Sequence, residues 1–217
     1  EAAVLAMSRC TGASCLLGRR EGTKRFLKGT RCLTEKCAVE RRAYAPGQHG
    51  QGTGRGRKPS EYSKQLREKQ KVKRMYGLTE GQFRNLFESV TRESGVKGTN
   101  LLIALESRLD NIVYRMGFAS SRKAARQLVN HGHVEVNGRR VDIASYNVMP
   151  GQEVRVAPSS RDLVAVKAAQ EYASRGAPVS WLSVDGDKAA GRYVERPTRE
   201  AIPVNAQEQL IVELYSK

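Results

Sequence analysis

Four thiols offer the first chemistry. Cys10, Cys15, Cys32 and Cys37 form two C-x4-C pairs separated by sixteen residues. Thiolates paired two to four residues apart suit a tetrahedral cation, above all zinc. Basic residues crowd the same segment and favour the thiolate form that binds metal. All four thiols fall within 28 residues of a stretch with no other core. Disulfides compete with this reading, although nothing in the sequence suggests secretion, and ordinary thiols are the third reading. The expectation is one structural zinc ion held by Cys10, Cys15, Cys32 and Cys37.

The other chemistry-bearing residues point away from catalysis. His131 and His133 bracket Gly132 with no third ligand nearby, which suits a structural or RNA-contacting role. His49 sits in a glycine-rich run, where it could stack on a base or donate to a phosphate. There is no phosphate-binding glycine loop followed by Lys-Ser/Thr and no glycine-flanked serine nucleophile. Arg108-Leu109-Asp110 matches the tripeptide that holds the catalytic aspartate of pseudouridine synthases. There it lies in a domain after the RNA-binding module; here it precedes the basic helix. Asp110 therefore reads as a helix-surface partner for a nearby arginine, and no enzyme is expected.

Charge is the larger signal. The 217 residues carry a formal net charge of +16, which calls for a polyanionic partner. No apolar run approaches the ~20 residues that span a bilayer, and no lysine-rich amphipathic anchor is present, so nucleic acid is preferred to a membrane. Residues 1–77 hold 19 Lys+Arg and 6 Asp+Glu, a net +13; residues 78–217 hold 19 and 16, a net +3. Such a concentrated excess repels itself unless a polyanion neutralises it. Aromatics make up 6% of the chain and form no stacking platform for single strands. Lysine and arginine reading the backbone and shape of folded RNA are what remains.

The elements that must position these residues follow from periodicity. Residues 1–59 show little, and the run from Gly47 to Gly56 cannot make a helix or a stable strand. Ser60 caps a basic helix to about Tyr76, ended by Gly77. Thr79 and Gln82 form a capping-box pair, and Phe83, Leu86, Phe87 and Val90 recur at core spacing. One apolar helix is expected from Asn100 to about Met116. Ser120 or Ser121 caps the next, which carries Arg122 and Arg126 four apart on one face. A strand over 133–136, a type I′ turn at Asn137-Gly138 and a return strand through Val141 and Ile143 follow. Glu153–Val156 alternates as a strand and Asp162–Arg175 suits a helix. Leu210, Val212 and Leu214 alternate as a final strand.

The stretch from Ser107 to Tyr146 resembles the RNA-binding module of the bacterial small-subunit ribosomal protein four family. RRAYAPGQHGQ at 41–51, LREKQKVKRMYG at 66–77, QFRNLFE at 82–88 and PVNAQEQLIVELYSK at the C-terminus also resemble it, in the expected order. Other families share the module, but not the PGQHG segment or the tail. The resemblance implies an α+β fold, a mostly helical domain with an inserted module of helices and a small antiparallel sheet. Residues 1–59 would be a basic cysteine-containing extension, 60–98 a helical domain completed by about 178–209, and 99–177 the module. It implies a cytoplasmic structural protein that binds the five-prime domain of small-subunit rRNA and nucleates assembly. It also implies contact with ribosomal protein five, a place near the channel through which mRNA enters, and a role in decoding accuracy. Neither a membrane nor a homo-oligomer is implied. An RNA-modifying enzyme, or an RNA chaperone of stalled ribosomes on the same module, is the alternative.

Carried over by position, the RNA-facing residues in the module are Arg122, Lys123, Arg126, Gln127, His131 and Asn137. Outside it they are Arg19, Arg20, Arg41, Arg42, Gln48, His49, Arg67 and Lys69. One departure concerns the metal. Zinc-bearing members begin with C-x2-C, and aligning on Arg19–Gly22 keeps Cys15 in register but puts its second cysteine at Gly18. Cys10 stands where the family usually has an aromatic.

Overall fold

The computed structural model describes residues 12–24, 27–48, 50–51, 60–173 and 179–216. In chain order its elements are α1 (Ser14–Glu21), α2 (Ala38–Arg41), α3 (Glu61–Tyr76), α4 (Glu80–Thr91), α5 (Lys97–Glu106), α6 (Leu109–Arg115), α7 (Arg122–Asn130), β1 (Val134–Val136), β2 (Arg139–Arg140), β3 (Glu153–Val156), α8 (Val164–Ala173), β4 (Leu182–Asp185), β5 (Ala190–Tyr193) and α9 (Glu208–Tyr215). They fall into two units. The first takes the described residues up to Asn100 and from Asn205 onward, and the second is Leu101–Val204. Among the described residues, the regular elements of the first are all helices, while the second joins helices to an antiparallel sheet. The fold is α+β, as expected.

Local chemistry sets the helices of the first unit. The Ser60 hydroxyl accepts the Ser63 N–H at 3.2 Å, and Gly77 ends α3 in the left-handed conformation at φ 69°. Thr79 and Gln82 close their capping box ahead of α4, whose Phe83, Phe87 and Val90 are buried. The C-terminal segment corrects one expectation. Residues 208–215 are the helix α9 rather than a strand. Ile211 is its buried residue, and Tyr215, four places on, stacks on Phe87 with ring centroids 4.6 Å apart. The alternation of Leu210, Val212 and Leu214 hid this one-sided stripe. Gln65 of α3 donates to Glu213 at 3.0 Å, and Glu68 accepts the Gln207 N–H at 2.8 Å, so α9 is fastened to α3 at both ends.

The second unit breaks the single helix expected over 100–116. α5 stops at Glu106, and Arg108 is extended at φ −69°, ψ 140°. The N–H groups of Leu109 and Asp110 donate to Tyr146 and Ala144 at 2.8 and 3.2 Å, and Ser107 accepts from Val148 at 2.9 Å. Distant chain has replaced the helical hydrogen bonds. Beyond α6, Ser121 caps α7 through the Ala124 N–H at 3.3 Å.

The sheet has the order β2-β1-β3-β5-β4, antiparallel throughout. β1 and β2 turn at Asn137 (φ 48°) and Gly138 (φ 77°), the positive pair that a type I′ hairpin needs. The return strand is shorter than expected: β2 ends at Arg140, and Ile143 is exposed. The chain over 182–193 is a further correction. It was expected to complete the helical domain, yet it forms a hairpin whose β5 pairs with β3. Its pattern is weak because β5 includes Ala190 and Gly191 on close-packed ground. A Cβ at Gly191 would lie 2.8 Å from the Ser183 carbonyl oxygen and 2.9 Å from the Met116 sulfur. Leu109, Ile112, Val113, Val129, Val134, Val154 and Trp181 form the core with Tyr193, whose hydroxyl is 2.9 Å from that of Ser107.

Candidate nucleic-acid interface

The residues expected on α7 divide into two kinds. Lys123 and Gln127, four apart, are exposed. Arg122 and Arg126, also four apart, are engaged with the protein, with side chains 12% and 19% exposed. Arg122 Nε donates to Asn111 Oδ1 at 2.7 Å, and its guanidinium lies 4.7 Å from the Tyr114 ring centroid. Arg126 reaches Asp110 at 3.5 Å. Asp110 thus has the arginine partners expected of it, but it is buried rather than on the helix surface.

The hairpin adds to this face. His131 is exposed at the end of α7, and its carbonyl accepts from Arg140 at 3.1 Å. Gly132 (φ 72°) makes room for that guanidinium: a Cβ there would fall 2.0 to 2.3 Å from the Arg140 atoms. Asn137 is exposed, and its Oδ1 accepts the Glu153 N–H at 2.9 Å, which ties the turn to β3. His133 is structural, with Nδ1 2.8 Å from the Ser160 hydroxyl. Arg139 and Arg140 are exposed beside these residues and were absent from the expected set. The signal for them was present, since two arginines directly follow the Asn-Gly turn.

In the first unit Arg20, Arg41, Arg42, Gln48 and Arg67 are exposed, while His49 lies outside the described residues. Arg19 is 9% exposed. Its Nε donates to the carbonyls of Arg42 and Tyr44 at 3.2 and 3.1 Å, and its guanidinium lies 4.8 Å from the Tyr44 ring centroid. It holds the segment that presents Arg41 and Arg42. Lys69 is 8% exposed and pairs with Glu80 at 2.5 Å, and Lys73 reaches the other carboxylate oxygen at 2.6 Å. Burial pushes the Glu80 carboxyl up, but the two lysines outweigh it and hold the group below the usual carboxylate range. Lys69 therefore joins α3 to α4.

Cys15, Cys32 and Cys37 line one pocket together with Lys24 and Leu27. Cys10 lies outside the described residues. The thiols suit zinc by type. Among the described residues, however, no three Cys, His, Asp or Glu side chains converge closely enough to hold a metal ion. Lys24, which also lines the pocket, is held protonated by its hydrogen bond to Glu40.

A basic helix and an arginine-bearing hairpin set on a small antiparallel sheet, with further exposed arginines on the first unit, define a polyanion-binding scaffold. Residues 9–106 match the family described as the ribosomal protein S4/S9 N-terminal domain, and residues 107–154 match the S4 domain. The small ribosomal subunit protein uS4 of Natranaerobius thermophilus is 55% identical over 211 residues, covering 97% of this chain and all of that protein. Those of Thermodesulfovibrio yellowstonii and Thermus thermophilus are 55% and 53% identical over 212 residues, with the same coverage. The chain belongs to the uS4 family of small ribosomal subunit proteins.

Proposed function

We propose that this protein is a structural, non-catalytic constituent of the small ribosomal subunit in the cytoplasm, bound to rRNA. The exposed basic face formed by Lys123, Gln127, His131, Arg139 and Arg140 carries this reading. The finer proposal is that it binds the five-prime domain of small-subunit rRNA early in assembly. It would then contact ribosomal protein five and support decoding accuracy near the channel through which mRNA enters. A modifying enzyme on the same module is disfavoured, because the uS4 relatives, matched over their whole length, are small ribosomal subunit proteins. The test compares binding to a five-prime-domain transcript with binding to an unrelated structured RNA of equal length across a salt series. Tighter binding to the first is expected at every salt concentration, and equal affinity for both overturns the assembly role.

The proposal includes one structural zinc ion on Cys15, Cys32 and Cys37, with Cys10 as fourth thiolate. The type and spacing of the four thiols carry it; the three described cysteines line one pocket without converging on a common point. Elemental analysis of purified protein should find about one equivalent, and less than about half an equivalent contradicts it.

A further inference from the structure

Two buried carboxylates lie behind α7, and each holds more than one arginine. Glu106, the last residue of α5, is fully buried. Arg115 grips it as a fork, at 2.9 Å from Nε and 2.6 Å from a terminal nitrogen, and Asn111 Nδ2 also donates to it. A terminal nitrogen of Arg122 stands 3.7 Å from the same carboxylate. Asn111, so oriented, accepts Arg122 Nε at 2.7 Å, and Tyr114 flanks the guanidinium face at 4.7 Å. Three different contacts thus fix one guanidinium plane. Asp110 takes the Arg108 fork at 3.1 and 2.8 Å and stands 3.5 Å from Arg126.

A buried ion pair is weak evidence for stability, since apolar residues of similar volume often hold a core as well. This cluster provides something an apolar core does not. Four guanidinium groups (Arg108, Arg115, Arg122, Arg126) are held in fixed orientation on two buried carboxylates. A flexible arginine loses rotamer freedom when it meets a phosphate, and one already held loses less.

We infer that Glu106, acting through Asn111, is a positioning residue for RNA binding that holds Arg122 in the orientation in which it meets a phosphodiester. This rests on the reading that the α7 face contacts RNA. Simple electrostatics predicts the opposite sign for the decisive variant. Removing a negative charge from behind a phosphate-binding face raises the local potential and should tighten binding, whereas loss of positioning weakens it.

The experiment measures affinity of the full chain for the five-prime-domain transcript at one salt concentration, at a temperature where circular dichroism shows each variant folded. Glu106→Gln and Arg122→Ala are each expected to weaken binding by roughly 5- to 20-fold, the loss of one charge-assisted contact. The double variant is expected to bind no more than about twofold weaker than Arg122→Ala alone, because both changes remove the same contact. The Arg122 Nε–H proton should exchange slowly in the unsubstituted protein and fast in Glu106→Gln. Glu106→Gln binding as tightly as, or tighter than, the unsubstituted protein overturns the inference, as do fully additive effects. Unchanged binding by Arg122→Ala overturns instead the reading that this face meets RNA. If Glu106→Gln does not fold, Tyr114→Leu keeps both carboxylates and frees only the flanking ring face. It should weaken binding measurably, and no change then overturns the inference.

Discussion

Arginines and lysines of like charge do different work in this molecule, and their surroundings tell them apart. Lys123 stands in solvent, while its neighbour Arg126 is drawn to a buried carboxylate. Lys123→Ala should therefore leave stability within about 0.5 kcal/mol of the unsubstituted protein and reduce the salt slope of RNA binding by about 1. Arg126→Ala should lower unfolding free energy in urea by about 1–3 kcal/mol, because Asp110 loses a partner in a buried site. Similar stability losses for the two variants would contradict this division. Arg19 belongs with Arg126, since its contacts are the carbonyls of Arg42 and Tyr44 and the Tyr44 ring.

At the scale of elements, α3, α4 and α9 depend on one ionised carboxylate. Glu80 sits between Lys69 and Lys73 and also accepts from the Tyr215 hydroxyl at 3.2 Å. Burial and the neighbouring Glu80 charge push the Tyr215 phenol up, so it stays protonated as a donor. The folded-state pKa of Glu80 is depressed. Its stabilising contribution is therefore present above the ordinary carboxylate pKa and is lost as pH falls through the folded value. The urea midpoint should drop as pH goes from about 5 towards about 3, and Glu80→Gln should flatten that drop. An equally steep drop in the variant would place the acid sensitivity elsewhere. Packing is tested separately at Ile211, fully buried in α9. Its replacement by Ala should cost about 2–5 kcal/mol in urea unfolding.

At the scale of the whole molecule, net charge is concentrated at +13 in residues 1–77, while the second unit contributes a smaller, packed face. If about 8 phosphates are neutralised, log K should fall against log salt with a slope of roughly −6 to −7. Arg41→Ala with Arg42→Ala should take about 2 from that slope. A slope shallower than about −3 in the unsubstituted protein would mean that one face carries all of the binding.

Much of this was legible in the chain itself. The caps at Ser60, Thr79 and Ser121, the glycine stop at Gly77 and the Asn137-Gly138 turn depend on residues within a few places of each other, so local chemistry sets them. The α+β class came from the family resemblance, and the excess of charge from composition. Tertiary structure alone decided the break at Ser107–Arg108, because the hydrogen bonds that replace the helix come from residues 144–148. It also decided that 182–193 joins the sheet and that 208–215 is a helix, where weak local patterns yield to the surface they pack on. Most of all, it sorted the basic residues. Sequence marks Arg19, Lys69, Arg126 and Lys123 alike as cations. Only folding shows which of them meets a buried carboxylate or carbonyl and which remains for RNA, because the cost of burying a charge is met by partners distant in sequence.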